Sequence, residues 1–205
     1  MEWEASVDST ICRAHQPAAG ARKRGLPIES DRVRTSPDGL AAEPDDHALG
    51  RSCGGLTTKI RLAVDASFHV LAVVVTAGQR ADAPVFTEVM DRIRVPRIGG
   101  GHPRTQPAHV LADRAYSSRK IREYLRRRQI PHTIPEKRDQ AGHRRRRGST
   151  GGRPPGSDRE QYKARHKAEC RTGLLKQARG VATRYEKLAI RYEATIQLTL
   201  VRQAP

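Results

Sequence analysis

The sequence predicts an α/β fold, a mixed sheet flanked by helices with long basic flexible loops. Runs with two-residue alternation and runs with helical spacing succeed one another along the chain, and a sheet covered by helices is the natural packing for that order. The length of 205 residues suits one domain with appendages. Hydrophobic residues make up 36% and aromatics 4%, so the core is thin and much of the chain is solvated.

Residues 2–10 alternate as a strand, with Trp3, Ala5 and Val7 on one side and Asp8 among the even-numbered residues on the other. From Pro17 to Leu49 the chain is polar and rich in Pro, Gly, Asp and Arg, which reads as a long mobile loop. Thr57–Ala66 and His69–Thr76 are β-rich runs separated by a short turn and form the best hairpin candidate. Pro84 suits the first turn of a helix running to about Ile93. After a Pro/Gly-rich loop from Pro96 to Pro107, Ala108–Ala112 is a short apolar strand ending at Asp113. Ser117 or Ser118 caps the next helix, which carries Ile121, Tyr124 and Leu125 at helical spacing. His132–Pro135 suggests another short strand. Residues 137–157 contain five consecutive basic residues from His143 to Arg147, then Gly-Ser-Thr-Gly-Gly-Arg-Pro-Pro, and read as a basic, flexible linker. Two helices close the chain, from about Asp158 to Arg179 and from Glu186 to about Val201. There is no internal repeat.

Lys and Arg total 39 against 22 Asp and Glu, a formal charge of +17. Such an excess points to a polyanionic partner, because neutralising phosphates releases condensed counterions; a merely solvated surface or an arginine-biased genome is the alternative. The three cysteines form no CxxC pair and leave an odd thiol, which fits a reducing compartment better than a disulfide framework. Cys12-x2-His15 is half of a zinc pattern, but no second ligand pair has suitable spacing. The start, Met-Glu-Trp-Glu, lacks the apolar stretch of a signal peptide. The longest apolar run, Val70–Val75, is too short to span a bilayer. These features predict a soluble intracellular protein with no membrane partner.

Against this basic background stand three separated acids, Asp8, Asp113 and Glu169. Glu169 lies in Tyr162-x2-Arg165-x3-Glu169-x6-Lys176. At roughly 100° per residue those four side chains share a helical stripe about 60° wide. Ala164, Ala168, Leu174, Leu175 and Ala178 lie opposite, so the stripe faces away from the core. Three carboxylates from separate elements suit magnesium, which binds hard oxygen ligands together with substrate phosphates. Two such ions about 4 Å apart can clamp the attacking and leaving oxygens of an in-line phosphoryl displacement. Two of the acids also have a plainer reading, while the third holds a favourable position. Asp8, before Ser9 and Thr10, suits a turn or cap; Asp113 ends a strand, a frequent site position in sheet proteins; Glu169 pairs with Arg165 four residues earlier, a common surface contact.

At these residues the chain resembles the DDE transposases of bacterial insertion sequences, specifically insertion-sequence family five. The late signature matches at Tyr162, Arg165, Glu169 and Lys176, and Asp113-Arg114-Ala115-Tyr116 matches the middle motif. Val7-Asp8-Ser9-Thr10 with Arg13-Ala14-His15-Gln16 is similar to the first catalytic strand. Arg51–Asp65 and Ala182-Thr183-Arg184-Tyr185 are also similar to the family. The resemblance implies a ribonuclease-H-like core with two Mg2+ ions, for which Mn2+ substitutes. It implies Asp8, Asp113 and Glu169 as the catalytic, metal-binding triad, with Tyr162, Arg165 and Lys176 contacting DNA. The activity implied is cleavage at the ends of a transposable element and strand transfer into target DNA. The implied partners are double-stranded DNA and further copies of the chain, as a homodimer or larger assembly, in the nucleoid-associated cytoplasm of a bacterium.

The chain departs from that pattern in two places. It begins almost at the first catalytic strand, so the family's upstream DNA-end-binding region is expected to be missing. That expectation fits the downstream half of a frameshifted product or a decayed fragment. Around Glu169 the usual preceding Asn and following basic–aromatic stretch are replaced by His166, Lys167, Cys170, Thr172 and Gly173. The competing functions are a truncated, inactive DNA-binding remnant and a stand-alone nuclease on the same core.

Overall fold

The computed structural model describes residues 3–20, 46–156 and 158–204. Strand β1 (Glu4–Ala14) is the pivot of a mixed sheet. On one side it pairs antiparallel with β3 (Gly55–Val64), from Ser6 opposite Val64 to Arg13 opposite Thr57. On the other it runs parallel to β5 (His109–Ala112), from Glu4 beside His109 to Val7 beside Ala112. Beyond β3 lies antiparallel β4 (Val70–Ala77), and beyond β5 lies parallel β6 (His132–Thr133). Two short strands complete the sheet: β2 (Gly50–Ser52) pairs with β3, and β7 (Thr183–Arg184) runs parallel to the end of β1.

The alternation expected of β1 decides which residues meet which layer. Ala5 and Val7 are fully buried. Val7 belongs to a core with Ala63, Val74, Val110 and Ala112 from neighbouring strands. That core is covered by α1 (Phe86–Asp91) and α2 (Arg119–Arg127), which contribute Phe86, Val89, Met90, Ile121 and Leu125. On the opposite face, Cys12, Ile60, Leu62 and Val64 meet Ala168, Leu175, Val181, Tyr192 and Ile196. Asp8 has the parity of Cys12 and therefore points to this second layer.

Local chemistry explains several boundaries. The β3–β4 turn is held by Asp65, whose carboxylate accepts from the backbone of Ser67 at 2.7 Å and His69 at 2.9 Å. Pro84 sits in the first turn of a 3-10 segment, Ala83–Val85, that leads into α1. Ser118, rather than Ser117, caps α2, accepting from the Ile121 amide at 3.2 Å.

The late helices differ from expectation. The single helix expected over 158–179 is three: α4 (Arg159–Lys163), α5 (His166–Gln177) and α6 (Arg179–Ala182). No Gly or Pro stands at the first break. Instead the backbone tightens there, with Arg165 bonding back to Tyr162 and Lys167 to Ala164, three residues rather than four. Leu174, expected on the apolar face, is 41% exposed, while Arg171 and Thr172 are buried. The final helix, α7, spans Ala189–Arg202.

Two expected loops also gain detail. Within 137–157, Arg138–Arg146 forms helix α3 with no buried residue, followed by a 3-10 turn at Gly148–Gly151. Of the loop expected over 17–49, a 3-10 segment at Gln16–Gly20 and residues 46–49 are described. The rest, 21–45, lies outside the described residues.

Candidate active site

Strand register brings the first two acids together. Val7 and Ala112 are partners in the parallel β1–β5 ladder, so the next residues, Asp8 and Asp113, stand on neighbouring strands one step beyond it. Asp113 also caps the short turn Arg114–Tyr116, its Oδ1 accepting from the Ala115 amide at 2.7 Å. The third acid arrives from above the sheet. Helix α5 buries Ala168 and Leu175 against the layer that Asp8 faces. Its far end is fastened by Lys176, whose Nζ donates to the Ile11 carbonyl of β1 at 3.0 Å.

Arg165 occupies the space between the acids. Its guanidinium lies 3.6 Å from an Asp8 oxygen and is hydrogen-bonded to the Glu169 carboxylate. The same guanidinium stacks over the Tyr162 ring, 5.6 Å from its centroid. Tyr162, Arg165 and Glu169 therefore act as neighbours, although the helix break places them on two elements. Lys176 points differently: it is half-buried and holds α5 to β1.

Arg165 is the counter-charge of the Asp8 and Glu169 pair. Burial raises the Asp8 carboxyl above the usual aspartate range, and the nearby Glu169 and Asp113 carboxylates push it further. The Ser9 amide and Arg165 oppose that rise without cancelling it. Glu169 is held below its ordinary range, first by the hydrogen bond from His166, whose Nδ1 is 3.1 Å away, and then by Arg165. Among the described residues, no group of three or more His, Cys, Asp or Glu side chains stands ready as a metal cage. The two acids that face each other are bridged by Arg165 instead. Asp8, Asp113 and Glu169 would offer hard oxygen donors to a divalent ion, with Asp8 desolvated and crowded by its neighbours. Such an ion would replace the guanidinium as counter-charge.

Some contributors had little signal in the sequence. Gln140 on α3 grips the loop after Asp113, accepting from the Ser117 hydroxyl at 2.7 Å and donating to the Ser117 carbonyl at 2.8 Å. Arg122 adds bonds to the same hydroxyl at 3.1 Å and to the Ile134 carbonyl at 2.8 Å. The Ser117-Ser118 pair was the one hint of this fixed corner. The Cys12/His15 half-pattern separates: Cys12 is buried in the α7 layer, and His15 stacks on Tyr185 with centroids 4.9 Å apart. All three cysteines are free thiols. Among the described residues, no helix is long and apolar enough to cross a membrane.

A family model described as the transposase DDE domain matches residues 2–202. No curated protein and no solved structure matches the chain.

Proposed function

From the chain's membership of the transposase DDE domain family, which makes DNA its partner and transposition its role, we propose that it cuts DNA at the ends of an insertion sequence and joins them to a target. Asp8, Asp113 and Glu169 are the proposed metal-binding carboxylates. The observation that carries this assignment is the Arg165 bridge from Asp8 to Glu169, beside the strand end that carries Asp113. The order of the sheet, with β4, β3 and β1 antiparallel and β1, β5 and β6 parallel, supports the ribonuclease-H-like reading.

In the first step a water oxygen attacks phosphorus and the bond to the 3′-oxygen breaks, leaving a 3′-hydroxyl and a 5′-phosphate. In the second, that hydroxyl attacks a target phosphodiester and displaces another 3′-oxygen. Asp8, Asp113 and Glu169 would hold divalent ions, Mg2+ or Mn2+, which would supply polarisation of the phosphate and of the attacking oxygen. The chain's own part is positional. Asp8 and Asp113 are fixed by adjacent strands, and Glu169 by α5. Arg165, released from the acids, is placed to neutralise a phosphate, with Tyr162 beneath it. Lys176 keeps Glu169 in register by anchoring α5 to β1. The reading extends to insertion-sequence family five and to a homodimer or larger assembly on paired ends in the bacterial cytoplasm.

The test uses the chain with its element's ends as labelled duplex. Nicking is expected at an end with Mg2+ or Mn2+ and not with EDTA. Asp113→Asn is expected to lower nicking by at least about a thousandfold, since losing one oxygen charge weakens the hold on the ions. DNA binding in EDTA should change less than threefold. Undiminished nicking by that variant removes Asp113 from the site.

A further inference from the structure

One strongly charged surface lies outside this site. Helix α2 lines a groove of about 510 Å3 with Arg122 and Arg126, closed on its other side by the strap of Arg153, Pro155 and Gly156. Arg122, Arg126 and Pro155 also line a neighbouring hollow of about 350 Å3 that reaches Gln140 on α3 and Ser117. The two form one trough leading from the fixed corner after Asp113. Its acids are already matched, Glu123 with Arg119 at 2.7 Å and Glu136 with Arg144 at 3.1 Å. Arg126, Arg145, Arg147 and Arg153 are exposed, and among the described residues none forms a salt bridge within 4.0 Å.

Helix α3 makes this surface more than a charged tail. It buries no side chain of its own, so core packing does not explain it. Gln140 and Arg144 nevertheless pin it to Ser117 and Glu136. About 13 Å long by its nine residues, it carries arginines on a helix tied to the Ser117 corner.

We propose that this trough and α3 form a second DNA-docking surface, which holds the phosphate backbone of duplex DNA beyond the reacting phosphate. The inference rests on the transposase reading for its partner. Duplex is favoured over single strands because base-stacking platforms need aromatic rings, and the trough lining contains none besides the imidazole of His132. Arginine forks paired with phosphates give sequence-independent binding with steep salt dependence.

The experiment measures binding of a generic 30-base-pair duplex in EDTA across a KCl series. The variant R126Q/R145Q/R147Q/R153Q is compared with wild type and with R51Q/R80Q/R97Q/R202Q, which removes equal charge elsewhere. The trough variant is expected to lose about 3–4 from the magnitude of the log–log salt slope, near 0.9 per contact, and at least about tenfold in affinity at 0.1 M KCl. The control set is expected to lose less than one. Equal losses in both sets overturn the surface, as does an unchanged slope in the trough set. Tighter binding to an equally long single strand than to duplex overturns the choice of partner. Absence of any DNA binding by wild type instead brings down the underlying reading.

Discussion

Asp8 carries an electrostatic cost to stability within one side chain. It is held in a desolvated position among like charges, so its folded carboxyl titrates above its unfolded value. The folded state therefore binds the proton more tightly than the unfolded chain. This penalty is absent below the unfolded value near 3.8 and grows as pH rises through the folded one. Asp8→Asn is expected to raise the melting temperature in EDTA at pH 7, a gain that fades on acidification towards pH 3.8. Added Mg2+ should stabilise wild type and leave the variant unmoved. A lower melting temperature for the variant at pH 7 contradicts the charge argument, and calorimetry at three pH values reads it directly.

At the scale of elements, Gly173 offers a clean measurement. It sits inside α5, exposed, with open space where a Cβ would stand. Gly173→Ala should stabilise the protein by about 1 kcal/mol through helix propensity alone. Urea denaturation checks it; a loss of stability shows that the glycine serves some contact there. The same region shows what could be read from sequence. The β3–β4 hairpin and the Ser118 cap were legible because alternation and capping are local. The break before α5 was not, because Ala164 and Arg165 favour helix. The break coincides with tertiary contacts: Arg165 reaches Asp8, and Lys167 donates to the Ala66 carbonyl at 2.8 Å. A two-residue strand such as β7 is too short to leave any periodicity. Of the stripe expected from Tyr162, Arg165, Glu169 and Lys176 on one helix, the first three stay neighbours across the turn, while Lys176 anchors α5 to β1 instead.

Across the whole molecule, the thin core is supplemented by buried arginines, which composition gives no reason to expect. Arg184 on β7 is fully buried. It donates to Thr58 Oγ1 at 2.7 Å and to the carbonyls of Ala48, Glu186 and Lys187 at 3.2, 2.9 and 2.9 Å. Its guanidinium also lies over the Tyr192 ring, 5.3 Å from the centroid. One side chain thereby joins β3, β7, α7 and the segment before β2. Arg184→Met should cost about 3 kcal/mol or more, because several buried acceptors lose their donors at once. A two-state denaturation curve within 1 kcal/mol of wild type contradicts that role. Arg61 is a parallel case on the other side, held by Asp82 at 3.0 Å and by the Arg80 and Ala81 carbonyls.

The pairing of β1 with β7 has a consequence in time. Arg13 and Ala14 lie beside Thr183 and Arg184, and Asp8 is bridged to Glu169 only once Arg165 and the helix that begins at His166 are made. During synthesis the early strand must wait for residues made more than 150 positions later. A nascent chain interrupted before α5 holds Asp8 and Asp113 and lacks the helix that carries Glu169. On the proposed assignment, the capacity to cut DNA is withheld from the growing polypeptide until α5 has emerged from the ribosome.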